Sequence, residues 1–111
     1  MYGRYISTYP PAMGFIHQQF KKAVDIGIIS KIIFSVTDDD NIIDIREFEA
    51  EQFKMIPKLK DLGVVATDAK GNLIMNPLVA FPWDDMPYHL VGLFSETPIF
   101  EKFADHFFVI E

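Results

Sequence analysis

Three lysines, Lys54, Lys58 and Lys60, sit close together in the segment FKMIPKLKDL, and a fourth, Lys70, sits in the turn TDAKGN. On a helix, Lys54 and Lys58 share one face, opposite Phe53, Ile56 and Leu59. Ammonium groups so placed can neutralise backbone phosphates, which supplies affinity without sequence information. They also make an ordinary solvated helix face. Reading bases would need Arg, Asn, Gln, Ser or Thr on the same surface. Gln52 is the polar residue placed for it on the lysine segment, with Asn72 and Thr67 in the turn region that follows. A second set of charges has the opposite sign: Asp38, Asp39 and Asp40 in one turn, and Glu47, Glu49 and Glu51 shortly after. Near phosphates these acids would repel; toward a basic protein they would attract.

Other chemistries find no constellation. A calcium loop starting at Asp38 would want a central Gly and a Glu closing it at position twelve, but there is no such Gly, and Glu49 falls in a segment that reads as helix. His17, His89 and His106 lie on separate segments with no His-x-x-x-His or Glu-x-x-His pairing. Asp84 and Asp85 beside His89 read as helix-capping acids rather than as an acid–base pair. No nucleophile elbow, Walker-type loop or dinucleotide fingerprint is present. The expectation is a non-enzyme with no metal and no cofactor.

The whole chain is acidic, with 10 Lys and Arg against 16 Asp and Glu, so bulk charge does not drive it onto nucleic acid. At 111 residues and half hydrophobic, it is one domain with a real core. Without cysteine it has no disulfide framework, thiolate nucleophile or cysteine-rich zinc site. No apolar run is long enough for a membrane span, and MYGRYISTYPPAMGF lacks the pattern of a secretion signal, so a cytoplasmic setting is expected.

The elements that must position these groups follow from spacing. Residues 1–12 read as an extended arm containing Pro10 and Pro11. Phe15, Ile16, Phe20, Ala23 and Val24 predict an amphipathic helix from Met13, ending at Gly27. Periodicity leaves Ile28–Val36 open between a buried strand and a short helix. Thr37–Asn41 is a turn and Asn41–Ile45 a short strand. Arg46–Gln52 and Phe53–Leu62 predict two short helices meeting between Gln52 and Pro57, with Phe48 inward and Gly63 as the stop. Val64–Ala66 and Leu73–Met75 form a hairpin whose turn uses Gly71 and Asn72, and Asn76-Pro77 ends it. An aromatic loop, Phe81–Pro87, leads to a helix capped by Asp85 through Leu90, Val91 and Phe94. Thr97-Pro98 opens a last helix toward Phe107, with Phe100, Phe103 and Phe107 inward.

The stretch IPKLKDLGVVATDAKGNLIMNPLVAF resembles the RepL-type replication initiators of small bacterial plasmids, a winged-helix family. The similarity lies in a Leu-rich, Gly-terminated helix, a two-strand wing closed by Ile74-Met75-Asn76-Pro77, the paired acids Asp84-Asp85, and the apolar segment from His89 to Phe94. GFIHQQFKKAVDIGIISKIIFSV is similar to the family's two N-terminal helices, and NIIDIREF to its first strand and the helix after it. On this resemblance Ile28–Val36 is helix. The chain departs from the family in two ways: Pro57 replaces a Gly-containing turn, and the second helix is acidic.

The resemblance implies an α+β chain: a winged helix-turn-helix domain over residues 13–96, with extra C-terminal helices in 97–111. Two functions follow as expectations. In one, the protein is a plasmid- or phage-type regulator of replication or transcription on double-stranded DNA, with Lys54, Lys58, Lys60 and Lys70 on phosphates and Gln52 and Asn72 as polar readers. In the other, it is a phage-type inhibitor that binds a protein through Asp38, Asp39, Asp40, Glu47, Glu49 and Glu51 and does not touch DNA. Aromatics crowd the C-terminal part, so a homodimer built by residues 86–110 is expected.

Overall fold

Pro10 and Pro11 begin a helix instead of extending an arm. In the computed structural model, which describes residues 6–82 and 86–106, helix α1 runs Pro10–Gln19 with its prolines in the first turn. Their fixed φ suits that turn, and the N–H they lack has no intrahelical partner there. Just before it, strand β1, Ile6–Thr8, belongs to a sheet, so residues predicted as an arm are part of the fold.

The single helix predicted from Met13 to Gly27 is two. Phe20 adopts extended backbone at φ −128° and ψ 103°, and α2 starts afresh at Ala23 and runs to Ile33. The buried side chains explain the break. Ala12 and Ile16 of α1 and Ile29, Ile32 and Ile33 of α2 all enter one core. On an unbroken helix turning roughly 100° per residue, the two sets would point on the order of 120° apart. Gly27 therefore lies inside α2 and not at a helix end, while the helix that the resemblance implied over Ile28–Val36 stops at Ile33, and Val36 instead bridges to Ile43.

After α2 the chain turns through Asp40 and Asn41, both at positive φ (50° and 59°). Asn41 is buried, and its Nδ2 donates to the carbonyls of Met75 (3.0 Å) and Ala80 (2.9 Å). The two helices predicted over 46–62 are one, α3, Ala50–Leu62. Its start is set by a capping box between Glu49 and Gln52, in which the Glu49 N–H donates to Gln52 Oε1 at 2.6 Å. Upstream, Asp44 holds Arg46 by both its backbone N–H (3.1 Å) and its guanidinium (2.8 Å to Oδ2), so this segment is a turn and not a helix. Pro57 interrupts one hydrogen bond, to the Phe53 carbonyl, but both residues lie on the exposed face, where water can replace the lost donor.

Gly63 ends α3 in the left-handed region (φ 91°). The Gly63 N–H bonds the Lys60 carbonyl at 3.1 Å and the Val64 N–H bonds that of Leu59 at 2.9 Å, a Schellman arrangement. The hairpin follows as expected: β2, Val65–Thr67, pairs antiparallel with β3, Leu73–Met75, in the register Ala66↔Ile74. Residues 41–43 lie along the other edge of β3, with Ile43 N–H on Leu73 O (2.8 Å) and Met75 N–H on Asn41 O (2.9 Å). Strand β4, Ala80–Pro82, returns to pair with β1 in the register Ser7↔Phe81. The fold is thus α+β, with two small antiparallel sheets and helices around one core.

The helix predicted through Leu90–Phe94 is a 3-10 helix, Tyr88–Phe94, with Pro87 at its cap position, and it buries Val91 and Phe94. The expected cap, Asp85, lies outside the described residues. A short α4, Pro98–Phe103, starts at Thr97, whose Oγ1 accepts the Phe100 N–H at 3.4 Å. Ile99 and Phe103 are buried and Phe100 is half-buried. Among the described residues no helix is long and apolar enough to cross a membrane.

Candidate partner-binding groove

The residues predicted to read bases are committed elsewhere. Gln52 is 3% exposed and closes the capping box of α3, so it is structural and has no face toward a duplex. Asn72 is half-buried, and its Nδ2 donates to Asp68 Oδ2 at 3.3 Å within the hairpin turn. Sequence reading put Gln52 at the junction of two helices, Arg46–Gln52 and Phe53–Leu62, and so missed its place in the cap of a single helix. The lysines are all exposed. Lys58 Nζ sits 4.5 Å over the ring of buried Phe20, tying α3 to the end of α1. Lys54 lines a groove against α2, and Lys70 is exposed at the hairpin tip.

The hairpin turn is built by one carboxylate. Asp68 accepts the backbone N–H groups of Asn72 (2.8 Å) and Lys70 (2.9 Å). The Asn72 N–H first, then its side-chain amide, the Lys70 N–H and the Lys70 charge, hold the Asp68 carboxyl below the usual carboxylate range. Gly71 supplies the positive φ (89°) that the turn requires, whereas Asn72 does not use one.

The acids divide. Asp38, Asp39 and Asp40 are exposed in their turn, with Asp40 Oδ1 3.4 Å from His89 Nε2. Glu47, Glu49 and Glu51 lie along α3 and its entry, beside α2. Helices α2 and α3 pack against each other, and two hollows mark the seam between them. One, of about 360 Å³, is lined by Lys31 of α2, by Phe34 and Ser35 just after it, and by Glu47, Phe48, Glu49 and Gln52. The other, of about 220 Å³, is lined by Asp25 and Ile28 from α2 and by Glu51, Lys54 and Met55 from α3. The end of α2 thus meets the start of α3, and the start of α2 meets its middle, so the helices run antiparallel along one groove.

Its floor and rim differ in character. Phe34 is 64% exposed and Phe53 47% exposed. Phe48 lies between them in the chain; it shares the larger hollow with Phe34 and meets the Phe53 ring edge-on at 5.5 Å. Ile45, also exposed, accepts the Phe48 N–H at 3.1 Å. Carboxylates of Asp25, Glu47, Glu49 and Glu51 and ammonium groups of Lys31 and Lys54 edge the groove, an excess of negative charge.

Sequence reading took Phe53 as part of an inward face and gave Phe34 no role. The signal for Phe34 was available. At the C-cap of α2, and still in helical backbone, it falls roughly 150° around the axis from the Ile29–Ile32–Ile33 stripe, so it does not enter the same core. Of the aromatics expected to fill the core and a dimer surface, Phe94 and Phe103 are core, with Phe103 meeting Tyr9 edge-on at 5.7 Å. Tyr88 is exposed, and Trp83, Phe107 and Phe108 lie outside the described residues. Among the described residues, no group of acids and histidines is gathered as a metal site would need.

No protein-family model, curated protein or solved structure matches this chain.

Proposed function

We propose that this protein is a protein-binding module that takes a basic, amphipathic segment of another protein into the groove between α2 and α3. The observation that carries the reading is the gathering of exposed apolar side chains. Three of the six large hydrophobics left exposed among the described residues, Phe34, Ile45 and Phe53, lie around Phe48 at one end of that groove, with carboxylates beside them. Exposed apolar area collected at one place and rimmed by charge is a signature of partner surfaces. An apolar floor with acidic edges complements a helix with apolar residues at three- and four-residue spacing and lysines or arginines on its flanks. The test is peptide display: a random library selected on the wild-type protein and counter-selected on Phe34→Glu. Enrichment of basic sequences with apolar residues at helical spacing supports the proposal. Enrichment of acidic or featureless sequences refutes it.

A second reading keeps duplex DNA as the partner on a winged-helix scaffold. Its support is the order of elements: α3, then the β2–β3 hairpin, with residues 41–43 along the free edge of β3 and Lys70 at the tip. Lys54, Lys58 and Lys60 would then meet phosphates. Fluorescence anisotropy with a mixed-sequence duplex at two salt concentrations decides it. Binding that weakens steeply with salt supports phosphate neutralisation, and no binding at low salt removes it.

A further inference from the structure

We infer that the larger hollow of the groove is an arginine pocket, which takes the guanidinium of the partner segment between the Phe34 and Phe48 rings and the Glu47 and Glu49 carboxylates. The inference deepens the protein-binding reading and rests on it. The aromatic and acidic components point to a planar cation. Phe34 leaves most of its surface open and Phe48 is half-buried, so aromatic surface is available at the wall of the hollow. A guanidinium is flat, weakly hydrated and stacks on such surfaces, whereas an ammonium is a compact, strongly hydrated charge. Two carboxylates line the same hollow against one ammonium, that of Lys31, so its charge favours a cation. Glu49 has a structural duty in the capping box, but a carboxylate offers two oxygens and several lone pairs, enough for a cap and a ligand. Glu47 is exposed, and its carboxylate, which also attracts Arg46, can take both N–H groups of one edge of the guanidinium. At about 360 Å³ the hollow has room for an arginine side chain. The neighbouring basic residue of this chain, Arg46, does not fill it: its guanidinium is held by Asp44 at 2.8 Å.

The test uses the full chain, labelled at its phenylalanine rings, titrated in NMR with the acetylated and N-methylamidated forms of arginine, lysine and citrulline. Citrulline keeps the shape and removes the charge. The pocket requires saturable shifts of the Phe34 and Phe48 ring signals with arginine, roughly fivefold to tenfold weaker affinity for lysine, and no saturation with citrulline. Glu47→Gln and, separately, Phe34→Leu should each weaken arginine severalfold. Both positions are exposed, so a thermal melt should confirm an intact fold in each. Equal response to citrulline, or arginine shifts as large around Asp38–Asp40 as in the pocket, would overturn the inference. Its failure is separable from that of the wider proposal. Displayed peptides that need Phe34 but tolerate arginine-to-citrulline replacement leave the groove standing and remove the pocket. Saturable arginine binding without any selected peptide leaves the pocket and removes the segment-binding function.

Discussion

Asn76 bolts the end of α3 to the end of the hairpin: its Nδ2 donates to the Gly63 carbonyl at 2.7 Å. The same side chain accepts the Leu78 N–H through Oδ1 at 2.9 Å, and none of it is exposed. Replacing it with Ala leaves a buried carbonyl and a buried N–H without partners. Asn76→Ala should therefore cost about 2–4 kcal/mol, seen as a lower urea midpoint at unchanged slope. Asn76→Asp should do no better, since a carboxylate cannot donate to Gly63. A cost within about 0.5 kcal/mol would mean the bond is dispensable.

The two glycines at positive φ should respond unequally to Ala. Gly71, at φ 89°, has open space where a side chain would go, so only backbone strain is added, about 1 kcal/mol. Gly63, at φ 91°, would drive a Cβ into the Thr97 side chain as well. Gly63→Ala should cost clearly more than Gly71→Ala in parallel denaturation curves. Equal costs would show that the start of α4 yields freely.

Much of this fold was readable in the sequence, where the signal is local. Gly63 as a helix stop, the hairpin around Asp68 and Gly71, and the turn at Asp40-Asn41 all rest on residues whose backbone preferences act within a few positions. What was not readable depends on distant partners. The break at Phe20 exists because two helical stripes must share a core, and the buried place of Gln52 exists because Glu49 starts the helix. Both change the site: one moves Gly27 into a helix, and the other removes the expected base reader. The groove was half-legible. Its acids were noted as a surface, but the aromatic end requires knowing that α2 and α3 lie side by side.

Gly27 provides a stabilising substitution. It sits within α2, is exposed, and has nothing within 4 Å of the position a Cβ would occupy. Gly27→Ala should raise stability by about 0.5–1 kcal/mol, chiefly by restricting the unfolded chain. A fall in midpoint would imply that the start of α2 needs a more open backbone.

Acid should loosen the hairpin turn through Asp68. Its folded pKa lies below its unfolded value because the Asn72 N–H, foremost among its partners, favours the carboxylate. A group lowered in this way stabilises the fold above the unfolded pKa, and that contribution is lost as pH falls through the folded one. Wild type should therefore be more stable than Asp68→Asn at neutral pH, and the gap should close below about pH 4. Denaturation of both proteins across that range measures it. A gap that persists or grows in acid contradicts the assignment.

The pairing of Ser7 with Phe81 also has a consequence for synthesis. Most of the chain separates the two strands, so β1 leaves the ribosome long before its partner exists. Until β4 emerges, an edge of unpaired backbone groups trails from α1, able to template on another nascent copy. Sheet β1–β4 is thus a clasp that closes only after most of the chain has emerged, and crowded translation is a moment at which its unpaired strand is open to misassembly.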